Sequence, residues 1–451
     1  MLLPALALTA TVGVQPAAAA PVPYTYTKVV SVALPVTGAK QQALGYANGH
    51  LFVGFDAGTS SHITEYTSTG TKVRDVGSLN LGHAAEMGYR KANGKFYVAN
   101  GGPDDKAKVA VVNMAAAKPT VEDTYDFSTI GVDAMVAVDN DNDRMVLFGG
   151  PKRTEDTISF GSFSSRTREK AFDMPNLGTP NGLEVVGSKI LYLATLKTSD
   201  KQDRVCNTMT AFNFTGTAQY ALPIPVIGEG EGLAADQVTG QLYVGFKSPN
   251  SVYKVSPAWT TPLGSNLLAN GDAECNDPVD DNTKGVDVAG WSDSTGTGTN
   301  MTVISYGANS GYPGSSSPGP SPRGTSFFSG GTAAVSTLTQ TVNLTGFAAG
   351  IDSSAGTRYT LSGYLGGYGK QEDNAKVVVT FRNSSGTTLG TKQLEPVTAA
   401  NRGNETGLRL RTASDVVPAG ARSASVVVTA TRAGGTNNDG YSDNVSLVLG
   451  A

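Results

Sequence analysis

Polar side chains recur at one position in five related stretches of the chain, each directly before a short apolar run. Carboxylates that a fold brings together can bind a cation, orient a sugar, or act as the acid and the nucleophile of a hydrolase. Glu86, Asp133 and Glu231 are therefore the candidate catalytic residues. The alternative is a ring of solvated polar groups without chemistry. The full set is Gln41–Gln42, Glu86, Asp133, Asn181, and Glu229 with Glu231.

The apolar runs belong to a repeated hairpin pattern, which is clearest at 231–246 as EGLAADQVTGQLYVGF. An apolar strand, the turn Asp236–Gly240 and a second strand rich in aromatic and β-branched residues follow one another there, as in a β-hairpin. A period of about 40–50 residues with several strands per unit is typical of propeller blades. The five copies predict a five-bladed β-propeller over 24–258, with the polar groups at the mouth of its central channel. Equivalent apolar positions are Leu44, Met87, Met135, Leu183 and Leu233.

The segment before the first copy is extended in character. Tyr24–Pro35 reads YTYTKVVSVALP, an alternating stretch with several β-branched residues. We expect it to supply the outer strand of the last blade, because that pairing closes the ring and removes free edges.

The acidic run DNDND at Asp139–Asp143 has two interpretations. It resembles the start of a Ca²⁺ loop, but the glycine and the distant glutamate of an EF-hand are missing. It also lies where the other copies have their hairpin turn, and Asn and Asp tolerate the left-handed backbone of such turns. We therefore predict a turn.

Composition limits the classes of partner. Charged residues make up 16% of the 451 residues and the net charge is −4, so we expect no nucleic-acid partner. The 55 glycines fit an all-β protein with many turns. No kinase, nucleotide, protease or zinc motif is present, and the histidines lack partners at ligand spacing. His83 lies three residues before Glu86, near the predicted channel mouth.

The first 20 residues have the character of a signal peptide. Apolar Leu2–Val14 is followed by Ala17–Ala20, which suits cleavage after Ala19 or Ala20. An uncleaved anchor is the alternative, but the apolar stretch is too short to span a bilayer. We expect a secreted, extracellular protein without a membrane span.

A linker at 259–265 rich in Pro, Gly, Ser and Thr precedes a second domain at 266–451. The two cysteines, Cys206 and Cys275, lie on either side of it. Outside the cell they would form a disulfide between the domains, or they are two unrelated buried thiols. The second domain contains several strand-like runs that fit one sandwich of two antiparallel sheets. They are Leu338–Val342, Arg358–Tyr364, Lys376–Arg382, Gly407–Thr412, Ser423–Thr431 and Val445–Leu449.

The ends of this domain carry recognisable sequence. NLLANGDAE at Asn266–Glu274 is followed by GW at Gly290–Trp291, and NNDGYSDNVSLVL at Asn437–Leu449 closes the domain. With the stretches between them, they resemble the galactose-binding-like β-sandwich of secreted bacterial proteins, a jelly-roll fold that includes carbohydrate-binding modules. The resemblance covers essentially all of Asn266–Leu449. It is specific for the fold and weak for the ligand, because this fold hosts many partners.

The resemblance implies a structural Ca²⁺ held by Glu274 and Asp443, which match the family's acids in the first and last strands. Hard cations take several oxygen ligands, and such an ion would join the two ends of the domain. Asp272 and Asp439 are less certain additions. The alternative is that all of these are ordinary turn acids.

A strand and loop in the sandwich offer an aromatic face with polar groups beside it, the usual elements of a sugar site. We therefore expect a secreted glycan-binding or cell-surface-binding protein, a monomer, with carbohydrate or cell-wall polymer as its partner. The alternative is a secreted hydrolase of glycosidase or phosphoesterase type, with its site at the channel mouth. The candidate ligand-binding residues are Tyr368, Lys370, Gln371, Glu372, Asp373 and Asn374.

Overall fold

A computed structural model describes residues 21–102, 105–151, 155–196, 204–293 and 300–450. The predicted signal peptide at 1–20 lies outside the described residues. No helix in the described ranges is long and apolar enough to cross a membrane. The prediction of an all-β protein is confirmed.

Within the described residues of the first half, twenty strands form five four-stranded antiparallel sheets, an arrangement consistent with propeller blades. Four sheets take consecutive strands, β2–β5, β6–β9, β10–β13 and β14–β17. The fifth has the order β1-β20-β19-β18, so β1 is its outer strand, the position predicted from the extended N-terminal segment. The strands are β1 Thr25–Ser31, β2 Lys40–Ala47, β3 His50–Asp56, β4 Ser61–Thr67, β5 Lys72–Leu79, β6 Glu86–Arg90, β7 Lys95–Ala99, β8 Lys108–Val112, β9 Val121–Asp126, β10 Val132–Asp139, β11 Arg144–Gly150, β12 Thr157–Ser162, β13 Arg168–Asp173, β14 Thr179–Val186, β15 Lys189–Leu196, β16 Cys206–Phe212, β17 Ala218–Ile224, β18 Gly230–Asp236, β19 Gln241–Lys247 and β20 Asn250–Ser256.

The first strands of the five sheets, β2, β6, β10, β14 and β18, contact one another in cyclic order, and β18 contacts β2. We call them the inner strands. Glycines allow their close approach: a Cβ at Gly88 would lie 2.7 Å from the backbone nitrogen of Val138, and one at Gly232 would lie 2.5 Å from that of Leu44. Apolar side chains such as Phe52, Met87 and Phe96 fill the space between neighbouring sheets.

Each inner strand ends in a hairpin turn that contains a residue with positive φ. At the acidic run this residue is Asp143, with φ 46°. The Asp139 carboxylate accepts hydrogen bonds from the Asn142 amide and the Arg144 guanidinium, so the run forms the predicted turn. The positive-φ residues in the other four turns are Asn48 and Gly49, Gly94, Gly187 and Gly240.

In the second half, the residues that the structure describes form two five-stranded antiparallel sheets, with the orders β21-β24-β29-β26-β27 and β22-β23-β30-β25-β28. Burial alternates along β26 and β29, so each of these strands has one face in the core. Apolar residues of both sheets, including Val377, Val426, Leu361 and Leu447, share one cluster. The strands are β21 Ser292–Asp293, β22 Thr302–Ser305, β23 Ser326–Ser329, β24 Val335–Asn343, β25 Arg358–Gly367, β26 Asn374–Arg382, β27 Thr388–Leu394, β28 Gly407–Val416, β29 Ser423–Thr431 and β30 Tyr441–Leu449, with the short helix α1 Ala348–Ile351 and 3-10 turns at Thr345–Phe347 and Ala400–Arg402.

The two halves are joined by several contacts. A disulfide links Cys206 of β16 to Cys275, with a Cα–Cα distance of 5.5 Å. The ring of Tyr220 in β17 packs against that of Phe347, with centroids 5.7 Å apart. Arg204 forms an ion pair with Glu274, with 3.1 Å between Nη1 and Oε2. The chain on both sides of the linker is therefore held by covalent, aromatic and ionic contacts.

Candidate functional site

A cavity of about 180 Å³ lies where the five inner strands begin, and we call it the amino-end cavity. Five of the residues predicted for the channel mouth line it, and at least one comes from each of the sheets that begin with β2, β10, β14 and β18. Lys40, His83 and Lys247 also line the cavity, although the repeat pattern did not place the two lysines there. The predicted residues that line it are Gln42, Asp133, Asn181, Glu229 and Glu231.

Glu231 is the buried acid of this cavity. Its Oε1 lies 3.2 Å from Lys247 Nζ, which is also 2.8 Å from Glu229 Oε2. Burial is the main cause that raises the pKa of Glu231 to about 8, while Lys247 lowers it and Glu229 raises it further. Burial thus favours the protonated form of Glu231, in which the carboxyl can donate a proton, whereas Lys247 favours the carboxylate.

Asp133 supplies a second carboxyl at the same cavity. Its backbone has φ 59°, and its N–H donates to the carbonyl of Gly102 at 3.1 Å. A left-handed backbone at a residue other than glycine costs roughly 1 kcal/mol and is frequent at functional sites. The start of β10 is thus held in a less favourable conformation that places Asp133 at the cavity.

His83 is a neighbour that the sequence indicated only through its closeness to Glu86. Its Nδ1 lies 2.9 Å from Oδ2 of Asp56, the last residue of β3. Both side chains are partly buried. The amino-end cavity therefore has a carboxylate-supported imidazole at its edge.

Glu86 does not line the cavity but lies deeper in the channel and is fully buried. Its Oε1 accepts the backbone N–H groups of Leu44 and Met87, at 3.2 and 3.1 Å. Its Oε2 accepts those of Leu183 and Leu233, at 3.2 and 2.9 Å. Burial raises the pKa of Glu86 well above its usual value, although these donors lower it. One carboxyl thereby connects four inner strands at the middle of the channel.

The ligand loop predicted in the second half is exposed only in part. Tyr368 is 37% exposed, and Lys370 and Glu372 are exposed beside it. Asp373 is fully buried, and its carboxylate accepts the backbone N–H groups of Ala433, Gly434 and Asp439.

The backbone of this loop is held from below by Arg402, which is fully buried. Its guanidinium donates to the carbonyls of Gly369 and Gln371, at 3.1 and 2.9 Å. Gln371 is partly buried, and Asn374 donates to the carbonyl of Glu372. The surface available to a ligand is therefore formed by Tyr368, Lys370 and Glu372.

The two acids implied as calcium ligands have protein partners. Both oxygens of Glu274 accept hydrogen bonds from Thr325, and Arg204 pairs with Oε2. Asp443 is fully buried, and its Oδ2 accepts the Tyr306 hydroxyl at 2.6 Å. Burial is the main cause that raises the pKa of Asp443, and the charges of Asp272 and Glu274 raise it further.

A cation near Asp443 would relieve the repulsion among these carboxylates. Each Asp443 oxygen accepts one hydrogen bond, which leaves acceptor capacity for an ion. The oxygens of Glu274 already carry two hydrogen bonds each. Among the described residues, no group of three or more His, Cys, Asp or Glu side chains is arranged to hold a metal. An ion would thus be bound mainly by Asp443, and the Glu274 oxygens would have to bind it in addition to their existing hydrogen-bond donors.

The chain matches no protein-family model, and no curated protein matches it. Among solved structures, the Bacteroides ovatus xyloglucan PUL GH43B is 10% identical with a TM-score of 0.34, over 94% of this chain and 99% of that chain. The GH43_1 enzyme from Xanthomonas citri complexed with xylotriose is 13% identical with a TM-score of 0.35, over 54% of this chain and 93% of that chain. The enzymatically active domain of bacteriophage CBA120 tailspike protein 4 is 18% identical with a TM-score of 0.25, and the match covers 41% of this chain but only 21% of that chain. Similarities at this level establish no family for the chain.

Proposed function

We propose that 24–258 form a five-bladed β-propeller, that 266–451 form a galactose-binding-like jelly-roll sandwich, and that the exported monomer binds glycan or another cell-surface polymer. Five four-stranded sheets with inner strands in cyclic contact support the propeller. Two five-stranded sheets around one apolar cluster, together with the NGDAE and GYSDN sequences, support the sandwich.

The observation that carries the binding function is the convergence of amide and carboxyl groups on the amino-end cavity. Gln42 and Asn181 offer both donors and acceptors there, and Asp133, Glu229 and Glu231 add carboxyl oxygens. A few convergent polar groups of this kind orient a hydroxyl-rich ligand. Tyr368 offers a second contact on the sandwich, where its ring can cover the apolar face of a sugar.

Replacing Tyr368 by alanine is expected to weaken polymer binding by about tenfold, which corresponds to about 1.4 kcal/mol. An aromatic ring contributes large contact area and loses little conformational freedom on binding. Binding of the full chain to an array of plant and bacterial polysaccharides measures the effect. Leu410→Ala, which removes another exposed apolar side chain from the same half, is the matched control. Equal losses in both variants would contradict a role for the Tyr368 loop.

Hydrolysis is the second candidate function, and Glu231 is the observation that favours it. Glu231, a carboxyl with a raised pKa, lines the same cavity as the carboxyl of Asp133, and acid-assisted bond cleavage uses a pair of carboxyl groups of this kind. Glu231 would be the proton donor, and Asp133 the base or nucleophile. A glycoside or a phosphoester would be the substrate.

If the propeller is catalytic, Glu231→Gln and Asp133→Asn are each expected to lower kcat by roughly 10²–10⁴. The exposed Glu169→Gln is the control. Wild-type turnover should fall as the pH rises through about 8, because Glu231 then loses the proton it donates. Turnover of a polysaccharide and phosphoester panel measures both effects. Turnover that persists in both variants would exclude this site as catalytic. If the wild type turns over no substrate but still binds polymer, only the binding function remains.

We also propose a structural Ca²⁺ at Glu274 and Asp443. EDTA is expected to lower the melting temperature of the full chain, and added Ca²⁺ to restore it, because an ion that binds only the folded form stabilises it. Asp443→Asn should remove the response to Ca²⁺. If EDTA leaves the melting curve of the wild type unchanged, the protein has no structural Ca²⁺.

A further inference from the structure

A second and larger cavity lies at the opposite end of the channel, where the inner strands finish, and we call it the carboxyl-end pocket. Its volume is about 480 Å³, within the range of about 300–1,000 Å³ of small-molecule sites. Each of the five sheets contributes at least one polar side chain from the second half of its inner strand or from the residues just after it, so the pocket is central to the ring. These side chains include Tyr46, Tyr89, Asn140, Glu184 and Gln237.

The polar groups of the pocket are fixed before any ligand arrives. Glu184 is 6% exposed, and its carboxyl accepts the N–H of Ala235 at 2.9 Å and the side-chain amide of Gln237 at 3.1 Å. Gln237 in turn accepts a hydrogen bond from Asn140 at 2.9 Å. Burial raises the pKa of Glu184 to about 7. Three sheets thus share one rigid network that presents carboxyl and amide groups, which lowers the ordering cost of binding.

The walls are aromatic and are supported from behind. Tyr46 stacks on Tyr243 with ring centroids 5.7 Å apart and an interplanar angle of 14°. Tyr89 packs against Phe96 at 5.2 Å. Both rings are partly exposed and line the pocket. They offer flat apolar surfaces next to hydrogen-bonding groups.

The charges argue against an anionic ligand. Lys91 is the cation among the residues that line the pocket, and it is opposed by Glu184 and Asp236. A phosphate or sulfate would require a cluster of cations or free backbone N–H groups. A ligand with hydroxyl groups, an apolar face and no charge matches the lining better.

We propose that the carboxyl-end pocket binds one uncharged sugar ring. The C–H face of the ring lies against Tyr46 or Tyr89, and its hydroxyl groups bond to Glu184, Asn140 and Gln237. The site is separate from the amino-end cavity, because Glu86 and its four backbone donors lie between the two ends. The inference goes beyond the proposed function and stands even if the amino-end cavity and the Tyr368 loop bind nothing.

A covalent block of the pocket tests the proposal in the full chain. Val238 lines the pocket and is 79% exposed, so Val238→Cys labelled with a bulky maleimide covers its opening. Cys206 and Cys275 are joined, so the label goes to the new thiol. The matched control is labelled Val73→Cys, at an exposed valine on the outer strand β5. All proteins carry Tyr368→Ala, so that sugar bound by the sandwich does not obscure the result.

The probes are D-galactose, D-glucose, D-xylose and L-arabinose at millimolar concentration, followed by calorimetry and saturation-transfer NMR. At least one is expected to bind, and the block at Val238 is expected to weaken it by more than about tenfold, equivalent to about 1.4 kcal/mol. The Val73 label should leave its affinity unchanged. Absence of binding by all four sugars, or equal affinity in the two labelled proteins, would overturn the proposal. Because this readout does not depend on Tyr368, Asp133 or Glu231, it can fail or succeed independently of the proposed function.

Discussion

Replacing Glu86 by alanine is expected to destabilise the first half of the protein by several kcal/mol. The substitution leaves four buried backbone N–H groups, on four inner strands, without their acceptor. Each buried donor left unpaired costs about 1–3 kcal/mol, against a total of about 5–15 kcal/mol for a typical domain. The loss is therefore large enough to threaten folding.

Unfolding in urea, followed by far-ultraviolet circular dichroism, measures this effect. Glu169→Ala is the control, because that exposed carboxylate on β13 has no described ion pair. Glu86→Gln should be intermediate, since it keeps one acceptor oxygen and turns an amide N–H₂ toward two of the donors. An unfolding midpoint of Glu86→Ala equal to that of the wild type would contradict the structural role.

The pH dependence of stability provides a second readout for Glu86. Its pKa is raised in the folded state, so the folded protein holds this proton more tightly than the unfolded chain. The corresponding stabilisation is complete below the unfolded value of about 4.5 and is lost as the pH rises through the folded value. Glu86→Gln, which has no proton to lose, should show a weaker decline of stability with rising pH.

Replacing Arg402 by alanine is expected to have an effect of similar size on the second half. The guanidinium is fully buried and donates to the carbonyls of Val397, Gln371 and other loop residues. Hydrogen bonds that involve a charged group contribute about 1.5–3 kcal/mol each. Arg402 holds the backbone of the loop that contains Tyr368. We therefore also expect weaker polymer binding, although Arg402 itself is not exposed to solvent or to a ligand.

Hydrogen exchange at 368–374, together with the melting temperature, separates these two effects. Arg358→Ala, at an exposed arginine on β25 of the same half, is the matched control. Arg402→Lys keeps the charge but loses the planar fork of donors, so it should restore the stability only in part. If hydrogen exchange at 368–374 is as slow in Arg402→Ala as in the wild type, the loop is held by other contacts.

The parts of the fold that depend on local patterns could be predicted from the sequence. The spacing from Leu44 to Leu233 matches five four-stranded sheets, and the glycine and aspartate turns lie where the hairpin pattern required positive φ. The polar residue before each apolar run also marks the start of an inner strand, which is why Gln42, Asp133 and Glu231 meet at one cavity.

The parts that depend on distant contacts could not be predicted. Glu86 lies one residue before the apolar position Met87, whereas Glu231 lies two residues before the equivalent Leu233. The sequence does not show that backbone from four strands encloses the first acid while the second lines a cavity. Glu184 lies within the strand-like run NGLEVV, and only the meeting of its strand with Gln237 and Asn140 makes it part of a pocket. No local pattern reports which distant strands will enclose a given acid.

The pairing of β1 with β20 has a consequence for the order in which the protein assembles. Thr25 and Ser256 lie together in one sheet although they are 231 residues apart in the chain. During synthesis the first strand therefore has no partner until almost the whole first half has emerged. Long-range pairing of this kind is slow, since loop closure must precede the contacts that reward it. Until that moment the nascent chain has an unpaired strand edge, and it is then most exposed to aggregation.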